Sequence, residues 1–388
     1  MMTRKEFLQI CAALGLTLPL KAVAPSLKHK LDSNSKIYII GAGAGGLTAG
    51  YLLKQQGIPF EILEASNVYG GRFRRNLDFA DFPIPLGAEW LHVRPSVFDE
   101  IVNDPSIKVN VKTKGYDHGT YWGYFEGNRT SARLMGFTID RKFIQSSWFD
   151  FYEEYIVPSV KDHIRYQKVV THIDYRGEAV KIHTADETFE SDKVIINIPV
   201  KMLQLGNVTF SPTLPESKVE ALQNVKVWDG FKAFIQFSKA FYPTFIGYRI
   251  QPRRDGQRLY YDAAYGQPTN QNVLGLFSVG TGARRYIDLP EEDRIAFILK
   301  ELDEQFDGAA SKYYIKHLFQ NWNAEPYIQG AYLTDHEKWK NIRALGTSVN
   351  NKLFFAGCAY TNGEDWSSVH TAARSALRAV KAILRNRE

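Results

Sequence analysis

Cysteine is scarce in this chain. The 388 residues carry only Cys11 and Cys358, so a disulfide framework is excluded as the source of stability. No Cys or His spacing of the zinc type occurs, and no block of Lys and Arg forms a stripe suited to nucleic acid, although the formal net charge is +6. The longest apolar stretch near the start, Ile10 to Leu20, is too short for a membrane span. Internal repeats and low-complexity tracts are missing as well. A lone Cys358 in the body of the chain reads as a packed thiol rather than a reactive one.

What remains is an ordinary globular composition, 44% hydrophobic and 23% charged, with enough length for two interleaved lobes. Aromatic residues reach 13%, which suits a pocket for flat ligands and equally a large β-rich core.

The most informative stretch is Lys36-Ile37-Tyr38-Ile39-Ile40-Gly41-Ala42-Gly43-Ala44-Gly45-Gly46. It predicts a buried strand, a glycine turn and a helix over 45–56. Gly41 permits the tight turn, Gly43 lets backbone approach a pyrophosphate, and Gly46 lets the helix pack on the strand. The amino end of that helix, at Ala44 and Gly45, offers free N–H groups and the positive end of the helix dipole to phosphate. A second strand over 59–63 leads into Glu64 and Ala65. A carboxylate at that distance bonds ribose hydroxyls. The expectation is a Rossmann-like α/β fold with a dinucleotide site.

Downstream come Gly70-Gly71-Arg72 and then Gly87-Ala88-Glu89-Trp90-Leu91-His92. Two glycines let backbone pass beside a cofactor, and Arg72 supplies a planar fork for phosphate oxygens. With Leu63-Glu64-Ala65, these segments resemble the flavin-containing amine oxidase family, which carries LEA…GGR and G-A-x-W at such places. The resemblance implies non-covalent FAD rather than NAD. It implies an FAD-binding domain of the glutathione-reductase and amine-oxidase type, assembled from 34–94, 166–224 and 343–388. An α+β substrate domain, 95–165 and 225–342, is interleaved with it.

Further roles follow from the resemblance residue by residue. Val170 matches a position whose backbone touches the adenine. Along 231–237, Phe231, Ala233, Ile235 and Phe237 alternate as one buried face, which leaves Lys232 on the other. By pattern alone Lys232 is a solvated lysine; by resemblance it holds a water against the flavin N5. Trp322 matches a tryptophan beside the ring, and Tyr332 one wall of an aromatic cage for the amine. Ala331 stands where monoamine oxidases carry the cysteine that bonds the flavin. Leu353-Phe354-Phe355-Ala356-Gly357 resembles the family's FAG turn, and Trp366 and Val369 lead into a helix whose amino end faces the flavin. Cys358-Ala359 replaces the acid expected after that glycine, and Val369 replaces the second cage tyrosine. His92 is similar to a tunnel histidine of polyamine oxidases, able to bind or deprotonate an ammonium group. Glu89 adds negative charge that draws in a cation. The implied activity is amine oxidation: hydride transfer to N5, imine hydrolysis, and reoxidation by oxygen, with peroxide released, or by another acceptor. Two alternatives are a flavin desaturase or oxidase acting on C–C bonds and a non-catalytic flavin-binding protein. The first insertion looks short, which implies a reduced lid.

Residues 1–24 read as an export segment. Arg4-Lys5 precedes the apolar run, and Ala22-Val23-Ala24 closes it. The pair resembles a twin-arginine signal with its second arginine replaced, which would place the protein in the periplasm or outside the cell.

Overall fold

Ile37–Ile40 is buried at every position, the pattern of a parallel strand covered on both faces. It pairs in parallel with Phe60–Leu63 on one side and Lys193–Ile196 on the other. Ile164–Arg165 and Leu353–Phe355 complete a five-stranded parallel sheet. In this computed structural model the residues described are 36–116, 122–126, 128–131, 140–250, 255–334, 337–363 and 367–385. The export segment and Trp366 lie outside them.

The helix Ala44–Gln55 begins one residue earlier than expected, because Gly43 is the extended N-cap at φ −78° and ψ −177°. It packs on the parallel sheet and against the last helix, Val369–Arg385. Small residues permit the approach: the last helix buries Ala372, Ala373, Ser375, Ala376 and Ala379. At Gly50 a β-carbon would stand 2.8 Å from the Phe60 ring. Proline has no N–H for a ladder, so the second strand starts at Phe60, while the Pro59 carbonyl still accepts from Ile37 N at 3.0 Å.

Thr188–Ser191, Val180–His183, His172–Asp174 and Thr209–Ser211 form a separate four-stranded sheet. The run Lys168-Val169-Val170-Thr171-His172-Ile173 predicts a strand from residue 168, yet the strand starts only at His172. Gln167 N and Lys168 N donate instead to Ser66 O at 3.0 Å and Glu64 O at 2.9 Å, which ties this segment to the edge of the glycine turn. Val170 is buried in the core between the two sheets.

A seven-stranded sheet fills the other part of the chain, in the order 314–321, 230–237, 272–280, 256–262, 245–247, 122–125 and 128–131. Phe231, Ala233, Ile235 and Phe237 form the expected face and pack against Ile298 and Leu302 of the helix Glu291–Asp303. The opposite face corrects the pattern-based reading of Lys232. Phe234 lies there in a second core with Trp90, Phe245 and Tyr261, so both faces of the strand are covered and Lys232 is only 3% exposed. Within 95–165 lie the helices Val97–Val102 and Trp148–Tyr155. The sequence reading missed a three-stranded sheet of Trp90–Leu91, Arg141–Phe143 and Thr113–Gly115. Among the described residues no helix is long and apolar enough to cross a membrane.

Candidate active site

The glycine turn is held from three directions. Gly41 sits at φ +99° and its N–H bonds Leu63 O at 2.8 Å. A β-carbon at Gly46 would lie 1.9 Å from the Gly41 carbonyl, so helix and turn touch backbone to backbone. Asn197, just past the Lys193–Ile196 strand, donates to Gly41 O at 3.1 Å, and its side chain fills the space beside Gly43, Gly45 and Gly357. Gly45 in turn packs on Gly357, where a β-carbon would meet the Gly357 nitrogen at 2.8 Å. Ser375 of the last helix accepts from Gly357 N at 2.7 Å and donates to Gly357 O at 3.0 Å. The first and last glycine motifs, more than three hundred residues apart in the chain, are thus one structure.

The second glycine pair joins it. Gly70 N donates to Ala42 O at 2.9 Å, and Gly43 and Gly70 form an isolated parallel bridge. Glu64 reaches back to the same loop: its Oε2 accepts from Ala42 N at 2.6 Å and its Oε1 from Ser66 N at 2.9 Å. Arg72 donates to the Ala331 carbonyl and, at 3.3 Å, to Cys358 Sγ. Gly87 crosses directly over Arg72, since a β-carbon there would stand 1.7 Å from Arg72 O; Ala88 N bonds that carbonyl at 3.1 Å. Trp322 closes the group, buried, with its indole N–H on Leu86 O at 3.1 Å.

Beneath the 85–89 segment lies an ion cluster. Glu89 bonds Lys142 through Oε1 and Lys232 through Oε2, the latter at 2.9 Å. Tyr261 donates to Oε2 at 2.8 Å. Lys232 also donates to Pro85 O at 2.7 Å and Gly87 O at 3.2 Å. Burial pushes the Glu89 carboxyl up, but the charges and hydrogen bonds of the two lysines outweigh it and hold it down, at about 2. Burial lowers Lys232 against the pull of Glu89. This corrects the expectation that Glu89 lures a cationic substrate: its charge is compensated within the protein, and its side chain is 1% exposed. Trp90 is a core anchor, its N–H donated to Tyr116 OH at 2.9 Å.

Tyr332 is half-buried against Trp228, with ring centroids 5.9 Å apart. Ala331 is buried beside them and offers no thiol; Cys358 is the single cysteine among the described residues. Val369 opens the last helix, followed by His370, buried and 2.7 Å from Ser368 Oγ. Burial, with Arg374 and His92 nearby, holds the His370 imidazole down, at about 4. His92 is partly exposed and paired through Nδ1 with Asp140 at 2.8 Å. Asn197, Ser375, Lys142, Asp140 and Tyr261 were all missed from sequence. Only Asn197, closing an apolar strand before Ile198-Pro199, carried a local signal.

The glycine cradle fits a dinucleotide on its own terms. The first helix has no side-chain cap and no acid in its first turn, so its leading N–H groups are free of protein side chains. A side chain at position 45 would collide with Asn197 and Gly357, and one at 43 would crowd Asn197, so the turn keeps this shape only with glycine there.

The pattern described as flavin containing amine oxidoreductase matches residues 146–384, and one for an NAD(P)-binding Rossmann-like domain matches 39–103. The chain is 24% identical over 451 residues to an Arabidopsis thaliana protein named probable polyamine oxidase 4, covering 92% of this chain and 88% of the relative. It is 27% identical over 288 residues to mouse lysine-specific histone demethylase 1B, covering 70% of this chain but only 32% of that larger protein. A putrescine oxidase solved with putrescine bound superposes with a TM-score of 0.71 at 15% identity, over 90% of this chain and 99% of that one, and so shares the fold. The chain belongs to the flavin-containing amine oxidoreductase family. It is an FAD-dependent amine oxidoreductase, and the absence of a thiol at position 331 is consistent with non-covalent FAD.

Proposed function

We propose that this protein oxidises a small aliphatic amine at a site bounded by Gly87–Glu89, Trp322, Tyr332 and the amino end of the Val369–Arg385 helix. The observation that supports it best is the convergence of Arg72, Gly87, Trp322 and Lys232 within one connected network. FAD, when bound, supplies the acceptor for a hydride. Gly41, Gly43, Ala44, Gly45, Gly46, Glu64, Ala65, Gly71 and Arg72 hold its nucleotide end, with Val170 near the adenine and Gly357 closing the far side. Tyr332 offers one aromatic wall to the amine nitrogen. His92, set in place by Asp140, takes the proton an incoming ammonium must lose. The family members named polyamine oxidases favour a di- or polyamine. We also propose oxygen as the electron acceptor, the division into FAD and substrate lobes at the boundaries given above, and export directed by residues 1–24.

Anaerobic mixing of FAD-loaded protein with a panel of amines tests the central reading. Bleaching of the flavin by aliphatic amines is the expected result. Bleaching by dithionite alone would remove the amine-oxidising role, and peroxide release on admitting air decides the acceptor.

A further inference from the structure

The ion cluster contains one cation that the motifs leave unexplained. Lys142 comes from Arg141–Phe143, the strand paired to Trp90–Leu91. Its side chain is as buried as that of Lys232, each 4% exposed. A single buried Lys–Glu pair carries no net charge; a second lysine on the same carboxylate leaves one positive charge in a site shielded from water. The three protons of the Lys232 ammonium meet Pro85 O, Gly87 O and Glu89 Oε2. Held this way, Lys232 acts on its surroundings through its field, and what sets that field is the sum over the cluster.

We propose that Lys142 is a positioning residue of the oxidation site: by sharing Glu89 it fixes Lys232 under the Gly87 carbonyl and, while Asp262 is protonated, leaves the cluster a net positive charge that favours the electron-rich, reduced form of the flavin. The inference rests on the reading above, since it requires FAD beside the Gly87–Glu89 segment. Asp262 is a further charged group that interacts with Lys142, and burial raises its carboxyl to about 6.

The test compares reduction potentials of FAD-loaded wild type, Lys142→Met, Glu89→Gln and the double variant, by equilibration with a reference dye at about pH 5, where Asp262 is mostly protonated. Lys142→Met removes a positive charge and lowers the reduced-to-oxidised ratio, by about tenfold, or ~30 mV for a two-electron couple. Glu89→Gln removes the negative charge and raises the ratio. The double variant restores the wild-type charge sum and returns the ratio close to wild type. A purely structural role for Lys142 would make the double variant the most perturbed. Should Glu89→Gln not fold, the order of the other three proteins is decisive by itself. An unchanged ratio in Lys142→Met, or a double variant further from wild type than Lys142→Met, overturns the proposal. Wild type that takes up no FAD would sink the functional reading, and this inference with it; yellow proteins in the wrong order would sink this inference alone.

Discussion

Asp262→Asn should make the protein more stable at neutral pH and leave it unchanged in acid. Asp262 is half-buried at the end of the Gly256–Asp262 strand, and its Oδ1 accepts from Ala264 N at 3.0 Å. Burial raises its carboxyl to about 6, against the opposing pull of Lys142 and the Ala264 hydrogen bond. In the unfolded chain the group titrates near 3.9. The folded protein therefore binds this proton more tightly, and its contribution to stability is intact below about pH 4 and lost as pH rises through 6. A shift of roughly 2 units corresponds to about 3 kcal/mol, and partial solvent screening brings the expected effect to about 1–3 kcal/mol. Asparagine keeps an acceptor for Ala264 and never ionises. Urea unfolding of wild type and Asp262→Asn at about pH 7.5 should show this gain, shrinking to under about 0.5 kcal/mol at pH 4. An equal gain at both pH values, or none at pH 7.5, would refute the assignment of the cost to a buried charge.

Four more expectations follow from the same geometry. Gly46→Ala drives a β-carbon into the Gly41 carbonyl and should cost about 3 kcal/mol or more, with loss of FAD uptake. Gly57→Ala, at φ +67° with nothing within 4 Å, should cost only about 1 kcal/mol and keep the flavin, as read by thermal unfolding and absorbance. Ser375→Ala leaves the Gly357 N–H without its buried acceptor and should destabilise by about 1–3 kcal/mol in chemical denaturation. His370, with its pKa lowered to about 4, should stay neutral from pH 8 down to about 5 in nitrogen NMR of the imidazoles; stability linked to it is lost as pH falls from about 6.5 toward 4.

The cofactor cradle was the most legible part of the sequence because its logic is local. Strand, glycines and helix lie within twenty residues, and each glycine position reports a steric demand that the neighbouring backbone makes visible. The alternating face of residues 231–237 was legible for the same reason. Lys232 was not: period-two patterning says which face a side chain takes, not whether another layer covers it, and Trp90 and Tyr261 come from remote segments. Lys142 and Asp140 escaped because they lie in and just before a three-residue strand, Arg141–Phe143, with no distinguishing composition. Asn197 and Ser375 are polar residues whose meaning arises only once distant glycines are beside them. Val170 was placed by resemblance alone, and its burial between two sheets could not have been read from one valine.

The wedge formed by Asn197 among Gly41, Gly43, Gly45 and Gly357 has a consequence for assembly of the fold. The glycine turn spans residues 41–46, yet its walls are supplied by residues near positions 197, 357 and 375. A chain lacking the Val369–Arg385 helix would have the glycines but not the shape, so the cradle forms only through contacts made across more than three hundred residues. Flavin uptake should therefore report that the Val369–Arg385 helix has docked.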